Sequence, residues 1–321
     1  MNISRIGLQK CWGPACFVPY YFMSSPIVPH KPLAVAALLV GAASIAFAPI
    51  FVRISDTSPT ASAFWRMALA APLLWLWVYA SERFWHPDAS AEWTRNGKTH
   101  WKLLFLAGLF FAADLGVWHF SIFFTSVANA SLELNLAPIF VTLGAWLLFG
   151  QRVSKLFLVA LLVSFAGAAL LIGPNIGATG KALLGDGLGI LAGVFYAGYL
   201  LALTQAANRV STVRIMAVST TVAALALAPY AWGTAENFMP QSVNGWLIMV
   251  GLALIAHVIG QSLVAYGFAH LPASFSSVSL LMQPVFAAIY AWAFLGEAIG
   301  QNQIVGGAIV LLGIYLAKRG S

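Results

Sequence analysis

Three ionisable side chains, Arg66, Asp114 and Glu133, lie inside long apolar stretches of this sequence. A charge deep in a membrane helix costs at least about 2.5–3.5 kcal/mol on insertion scales, so such residues usually serve binding, coupling or a specific pairing. Arg66 and Glu133 lie at similar depths in their stretches, which predicts that they pair with each other. This pair could form part of a gate or only lock two helices together.

Asp114 has no evident cation at its own depth in the sequence. An unpaired buried carboxylate takes up a proton readily or holds a cationic group, and both properties suit coupling or substrate binding. Trp118 follows one helical turn later on the same face, where an indole and a carboxylate could hold an apolar group and an amine together. The alternative is a protonated Asp114 that only hydrogen-bonds to a neighbouring helix.

Other polar side chains within apolar stretches extend this set. Asn129 shares a helix face with Glu133, and Gln283 directly precedes a proline. His257 carries an imidazole, which in water titrates near neutral pH, but a lone histidine in a membrane equally often bonds two helices together. The residues that we predict to bind substrate or to couple transport are Asp114, Trp118, Asn129, Glu133, His257 and Gln283.

Two segments 146 residues apart are near-copies of each other: residues 138–150 read PIFVTLGAWLLFG, and residues 284–296 read PVFAAIYAWAFLG. Pro138 and Pro284 lie near the centres of their stretches, and each frees the carbonyl four residues earlier. Such a carbonyl must find a partner or line a wet cavity, which predicts equivalent helix breaks near a midplane site. The alternative is a kink that only shapes packing. We assign a structural or gating role to Arg66, Pro138 and Pro284.

The composition is that of a protein embedded in a lipid bilayer. The chain is 61% hydrophobic and only 8% charged, with a mean hydropathy of +0.87, whereas soluble domains carry about 25% charged residues. Its apolar runs are long enough to cross the bilayer and lack the alternation of a β-barrel. We predict an all-helical fold with ten spans at roughly 33–53, 60–81, 102–124, 127–149, 155–173, 188–206, 214–233, 245–267, 273–295 and 299–317.

The positive charge of the chain follows its predicted topology. With both termini in the cytoplasm, thirteen Lys and Arg residues fall on cytoplasmic segments and two fall outside, which is a strong positive-inside bias. The formal charge of +7 therefore gives no reason to expect a nucleic-acid partner. The two cysteines precede the first span and supply no disulfide or metal framework, and no cofactor is predicted.

We divide the chain into a loose N-terminal extension (1–31), a first repeat of helices 1–5 (32–173) and a second repeat of helices 6–10 (174–321). Five helices per copy require the second copy to be inverted in the membrane. The loop after Gly150 carries Arg152, whereas its counterpart after Gly296 carries Glu297, as inversion predicts. Stripes of small residues that permit close helix contacts, including a homodimer, lie at 185, 189 and 193 and at 306, 307 and 313.

The duplicated unit resembles the drug/metabolite transporter superfamily, specifically its ten-helix EamA-type carriers, over about residues 33–317. The resemblance is carried by an N-x-A-P motif ending at Pro138, an L-x-Q-P motif ending at Pro284, the sequence LGE at 295–297, Arg66, and a glycine-rich last helix. Gln151 departs from the family pattern, in which Glu is common at this point of the first copy. The resemblance implies a carrier in a bacterial-type inner membrane, with a cavity lined by helices 1–4 and 6–9 and with helices 5 and 10 outside it.

These observations predict a secondary transporter that exports or exchanges small metabolites, such as amino acids or drug-like amphipathic solutes, by alternating access. Its expected partners are a small-molecule substrate and the lipid bilayer. The sequence contains no P-loop, no HExxH, no GxSxG and no cysteine within a span, so neither an ATP-driven pump nor an enzyme is expected. A non-transporting scaffold or receptor is the main alternative, although it would not need buried acids; an intramembrane enzyme using Asp114 and Glu133 is a weaker one.

Overall fold

The computed structural model of the chain describes residues 31–85, 87–121, 124–125, 132–172, 180–207, 210–296 and 298–320. Within these ranges the fold is helical, without strands, and ten helices are long and apolar enough to cross a membrane. This confirms the predicted fold class and the number of spans. The spans are α1 Pro32–Ile54, α2 Pro59–Phe84, α3 Trp101–Ser121, α4 Leu132–Phe149, α5 Lys155–Ile172, α6 Lys181–Ala207, α7 Thr212–Thr234, α8 Val243–His270, α9 Ala273–Leu295 and α10 Gln301–Gly320.

The segment 82–101, which lies between the predicted spans 60–81 and 102–124, is largely helical. A π-helical turn, Ser81–Trp85, ends α2, and a helix that runs over Pro87–Ser121 continues directly into α3. Pro87 occupies the first position of this helix, where the missing N–H costs nothing. The segment is too polar to lie in lipid, and polarity alone does not distinguish a loop from a helix in water or at the membrane interface.

Three spans are interrupted near a proline. In α4 the helix Ala137–Phe149 begins at the predicted break before Pro138, and in α9 the helices Ala273–Ser279 and Met282–Leu295 are separated before Pro284. The first span breaks in the same way, between Ile45 and Ala48. The predicted breaks at the two repeated prolines are therefore present, whereas their role in gating stays a prediction.

The two repeated segments also end alike. Gly150 closes α4 with a φ of 65°, and Gly296 closes α9 with a φ of 69°. Both angles lie in the left-handed region, which other residues rarely adopt and which commonly ends helices. The similarity of residues 138–150 and 284–296 therefore extends from a proline break to a glycine cap.

The packing of the helices has a regular pattern. The pairs α2–α7, α4–α9 and α5–α10 pack against each other, and the contacts of α3 with α6 and α7 are matched by those of α8 with α1 and α2. These contacts map onto one another when each helix is exchanged with the helix five places along the chain, although some weaker contacts, such as that of α6 with α8, have no such counterpart. Two similar five-helix units arranged about a pseudo-two-fold axis would produce this pattern.

The glycines of α10 allow its backbone to touch that of α5. A Cβ on Gly306 would lie 2.6 Å from the backbone N of Leu171, and a Cβ on Gly167 would lie 2.7 Å from the backbone N of Val310. A Cβ on Gly313 would overlap Ser164 in the same way. Such spacing of small residues lets two helices pack closely in a membrane, where dispersion rather than hydrophobic exclusion favours association.

The glycine stripe of α6 is also used within the chain. A Cβ on Gly185 would lie 2.7 Å from the backbone N of Thr125, and one on Gly189 would overlap the carboxylate of Glu133. The two stripes that permitted a homodimer in the sequence are therefore covered by other parts of the same chain. They give no support to a dimer interface.

Candidate functional site

Arg66 of α2 and Asp114 of α3 form the charged centre of the bundle. Their side chains are 8% and 3% exposed, and each interacts electrostatically with the other. Arg66 lies about two turns inside the Pro59 end of α2, and Asp114 lies about two turns inside Ser121, the last helical residue of α3. The prediction that Asp114 has no cation at its own depth was therefore wrong.

The predicted pair between Arg66 and Glu133 is not observed, although both residues lie in the described part of the chain. Glu133 instead lies beside Asp186 at the contact between α4 and α6. The reason is the packing of α4, which lies against α6 and α9. Similar depth in the membrane places two charges on one level but does not decide which helices are neighbours.

The two central charges are incompletely satisfied. Arg66 Nη2 reaches only the backbone oxygen of Ala256, at 3.5 Å, and Arg66 Nε has no hydrogen-bond partner. Asp114 Oδ1 also has no hydrogen-bond partner. Because a buried polar atom without a partner loses its hydration with nothing in return, this centre has capacity for a further polar group.

A π-helical segment of α8, Leu252–Gln261, borders this centre and contains Ala256. Its His257 is fully buried, shares a hydrogen bond of 2.8 Å between Nε2 and Thr220 Oγ1 of α7, and has no partner at Nδ1. Gln261, at the end of the segment, is 3% exposed and has no partner at Oε1. Local π-helical geometry is frequent at functional sites, where it re-aims side chains and backbone groups.

Tyr196 of α6 connects the charged residues to the amides of the second half. Its side chain interacts electrostatically with Arg66 and Asp114, and the amides of Gln261 and Gln283 approach its hydroxyl. The described residues that meet here come from α2, α3, α6, α8 and α9. We call Arg66, Asp114, Tyr196, His257, Gln261 and Gln283 the central cluster.

Aromatic packing forms one wall of the central cluster. The ring of Phe111 stacks on Tyr199 with centroids 4.5 Å apart and lies nearly parallel to His257 at 5.6 Å. Tyr199 is fully buried and its hydroxyl contacts Met216 Sδ at 3.5 Å. This stack packs His257 against the adjacent face of α3 through Phe111.

The structure brings together only part of the predicted site. Asp114, His257 and Gln283 belong to the central cluster, and Trp118 lies one turn beyond Asp114 with an indole N–H that has no partner. Asn129 falls outside the described residues. The sequence analysis did not include Gln261 or Tyr196 among the site residues. Gln261 lies one helical turn after His257, and this spacing could have identified it.

Glu133 forms a second, separate polar group with Asp186. Its carboxylate is next to that of Asp186, which accepts a hydrogen bond from Thr125 Oγ1. Glu133 Oε2 is buried and has no hydrogen-bond partner. Two neighbouring carboxylates repel each other when both are ionised.

We expect Glu133→Gln to raise the melting temperature by about 2–4 °C, corresponding to about 1 kcal/mol, because it removes this repulsion. Asp186→Asn should raise it as well, since either change leaves one carboxylate. Thermal unfolding of the purified protein at pH 8 measures the effect. An unchanged or lower melting temperature in both variants would show that repulsion between these groups does not limit stability.

Contacts at both ends join α2 and its loops to α7 and its loops. At one end Asp56 Oδ2 accepts hydrogen bonds from Gln241 N at 3.1 Å and Ser242 Oγ at 2.8 Å, and Trp65 Nε1 donates to Phe238 O at 2.7 Å. At the other end Arg214 forms an ion pair with Glu82. The central cluster is thus enclosed between two sets of contacts.

A family model for the EamA-like transporter family matches residues 32–173 and again residues 183–319. The chain belongs to the EamA-like transporter family. Members of this family are transporters, so the interpretation of the chain as a multi-pass membrane transporter rather than an enzyme is confirmed.

Curated relatives agree with this assignment. The pseudopaline exporter CntI of Pseudomonas aeruginosa is 25% identical over 88% of this chain and 95% of its own length. An uncharacterised transporter of Archaeoglobus fulgidus is 29% identical over 61% of this chain and 68% of its own length. A probable terminal-alkyne amino-acid exporter of Streptantibioticus cattleyicolor is 26% identical over 60% of this chain and 64% of its own length.

This chain shares its fold with a protein of known crystal structure. It superposes with a TM-score of 0.72 at 16% sequence identity, covering 90% of this chain and 96% of the other. At this identity the likeness establishes the fold alone.

Proposed function

We propose that this chain is a secondary transporter that exports small metabolites and binds them at the central cluster. The observation that carries the proposal is the set of buried polar atoms without partners where helices of both halves meet. A structural core gains nothing from such atoms, because each loses hydration on burial. A substrate that crosses the membrane through this region could form hydrogen bonds with these atoms.

The mechanism that we propose is alternating access by two inverted five-helix repeats. The exchange pattern of helix packing and the paired breaks near Pro138 and Pro284 support it, since transporters of this kind bind substrate where discontinuous helices of the two repeats meet. Opening one end requires separation of the Asp56 contacts, and opening the other requires separation of Arg214 from Glu82. Arg66 serves in substrate binding in this proposal, rather than as the gate residue expected from the sequence.

The charge distribution and the relatives support an outward direction of transport and an inner-membrane location. The excess of Lys and Arg on one set of loops supports a bacterial-type inner membrane location with both termini in the cytoplasm. Two relatives are named exporters, one of pseudopaline and one of an amino acid, which supports outward movement of amino acids or similar amphipathic solutes.

Reconstitution into liposomes tests the proposal. Vesicles preloaded with a mixture of the twenty amino acids, or with ethidium, are diluted into the corresponding labelled solute, and its uptake by counterflow is followed. We expect uptake of at least one solute above that of vesicles containing heat-denatured protein. No uptake of any solute by correctly folded protein, at either pH 5.5 or pH 7.5, would contradict the proposal.

A further inference from the structure

The start of α5 and the end of α10 are joined at one end of the bundle. Ser154 Oγ donates a hydrogen bond of 2.6 Å to the backbone oxygen of Gly320 and accepts one of 3.1 Å from Phe157 N, which caps the first turn of α5. A Cβ on Gly320 would lie only 2.6 Å from Phe157 N. The backbones of the two helices therefore touch at this point.

Four basic residues surround this contact. Each lies within two residues of either partner of the hydrogen bond between Ser154 and Gly320, and all four are exposed: Arg152, Lys155, Lys318 and Arg319. We call them the basic cluster. The guanidinium of Arg319 lies over the ring of Tyr315, 4.8 Å from Cζ to the ring centroid, and a guanidinium stacked in this way can still donate hydrogen bonds in its own plane.

The helices around the basic cluster provide no negative charge to balance it. The span α5 packs against α10 and α9, and α10 also packs against α9. The described residues of these three spans include no Asp or Glu. Glu82, which lies at the same end of the bundle, forms its ion pair with Arg214. The start of α5 and the end of α10 thus present four positive charges together, and such a surface attracts anions.

Exposed apolar side chains continue from the basic cluster toward the middle of both spans. They are Leu156, Val159 and Leu162 on α5, and Leu311, Leu312 and Tyr315 on α10. A ligand that matches both parts of this surface has anionic groups at the level of the lipid headgroups and hydrocarbon next to them. A phospholipid has this arrangement, whereas an acidic peptide or a free phosphate has no hydrocarbon part.

We propose that the basic cluster binds the headgroup of a phospholipid with two phosphates, of the cardiolipin type, whose acyl chains lie along α5 and α10. The charges form two sets, one at the start of α5 and one at the end of α10, so two phosphates on a short linker contact both sets at once. The positive end of the α5 helix dipole adds to the attraction. Basic groups between membrane helices at the cytoplasmic side are suited to such headgroups, and the predicted topology places this end of the bundle in the cytoplasm.

The test is a lipid titration of the full chain in a non-ionic detergent. Cardiolipin, phosphatidylglycerol and phosphatidylcholine are added at equal phosphate concentration, and native mass spectrometry counts the bound lipid. We expect one cardiolipin to bind at least about tenfold more tightly than either other lipid. Cardiolipin should also raise the melting temperature, because it binds the folded pair of helices. Sodium pyrophosphate, which has two phosphates and no acyl chain, should not.

Substitutions assign the binding to the basic cluster. The variant Arg152→Gln/Lys155→Gln/Lys318→Gln/Arg319→Gln should weaken cardiolipin binding by about 10- to 100-fold and leave phosphatidylcholine binding unchanged. Exchanging Arg for Lys and Lys for Arg at the same four positions should retain most of the affinity, because the charge is kept. All four side chains are exposed, so we expect the melting temperature without lipid to stay close to that of the wild type.

A matched pair of double variants separates position from net charge. Lys155→Gln/Arg319→Gln and Arg53→Gln/Lys181→Gln each remove one Lys and one Arg from exposed positions. The second pair lies at the opposite end of the spans. The first variant should weaken cardiolipin binding by about 5- to 10-fold, whereas the second should bind like the wild type.

Cardiolipin binding that is unaffected by the four-residue variant would overturn the assignment, and so would an equal loss of binding in Arg53→Gln/Lys181→Gln. Phosphatidylglycerol that binds as tightly as cardiolipin at equal phosphate concentration would reject the two-phosphate headgroup. An equal rise of the melting temperature with pyrophosphate would reject a lipid as the ligand. None of these measurements depends on transport, so they test the lipid site separately from the function proposed above.

Discussion

Replacing Gly306 by alanine is expected to lower the melting temperature by about 6–12 °C, corresponding to a loss of about 3 kcal/mol in the free energy of unfolding. The added methyl group would lie 2.6 Å from the backbone N of Leu171 and 2.7 Å from the backbone O of Gly167. Neither atom can move without displacing a whole helix. The substitution must therefore separate α5 from α10 along much of their contact, which removes dispersion contacts that lipid replaces poorly.

Gly307 is the matched control, because it neighbours Gly306 on the same helix. A Cβ at this position would meet only side-chain atoms of Val285 and Leu171, at 3.7–4.0 Å, which is ordinary van der Waals contact. Alanine at 307 should therefore leave the melting temperature nearly unchanged or raise it slightly through its better helix propensity. Equal effects of Gly306→Ala and Gly307→Ala on thermal unfolding would show that backbone contact between α5 and α10 does not contribute to stability.

The number and approximate limits of the spans could be predicted from the sequence because lipid imposes a simple rule. Each crossing needs about twenty apolar residues in a helix that satisfies its own backbone. The repeat also predicted where α4 and α9 break, since a proline cannot donate the hydrogen bond that would continue the helix. The helical structure of segment 82–101 could not be predicted in this way, because the segment lies outside the apolar spans. There, polar residues are compatible with either a helix or a loop.

The central cluster could be predicted only in part. Hydropathy identified Asp114, His257 and Gln283 as polar residues in apolar surroundings, but it contains no information on which helices touch. The partner of Arg66 was therefore chosen by depth, and α4 turned out to pack away from α2. Tyr196 was equally ambiguous, because a tyrosine in a span can present its ring to a neighbouring helix or its hydroxyl to a polar site.

The two tyrosines of α6 illustrate this ambiguity. Tyr196 and Tyr199 lie within one turn of each other, but the hydroxyl of Tyr196 meets two amides, whereas Tyr199 packs against Phe111 and Met216. Their different surroundings depend on α3, α7, α8 and α9, which lie far away in sequence. Only the packed structure separates a residue of the site from a residue of the core.

Reversing the charge at Arg214 is expected to destabilise the protein by about 3–5 kcal/mol and to slow counterflow strongly. Arg214 is 7% exposed and its side chain pairs with Glu82, which is itself largely buried. In Arg214→Glu two carboxylates face each other in a region of low dielectric constant, and each lacks the partner that offset its lost hydration. Under the alternating-access mechanism proposed above, the end of the bundle that contains this pair should then stay open, and the cycle should stall with the central cluster accessible from one side.

The double variant Glu82→Arg/Arg214→Glu separates the charge interaction from the effects of each substitution alone. It restores an attractive pair in reversed order, so part of the lost stability and part of the counterflow should return. Recovery is expected to be incomplete because a guanidinium at position 82 starts from a π-helical turn and reaches the partner at a different angle. A double variant no more stable than Arg214→Glu would mean that the attraction between these two side chains does not hold this end closed. Recovery of stability without recovery of counterflow would mean that transport depends on the identities of the two side chains and not on the attraction between them alone.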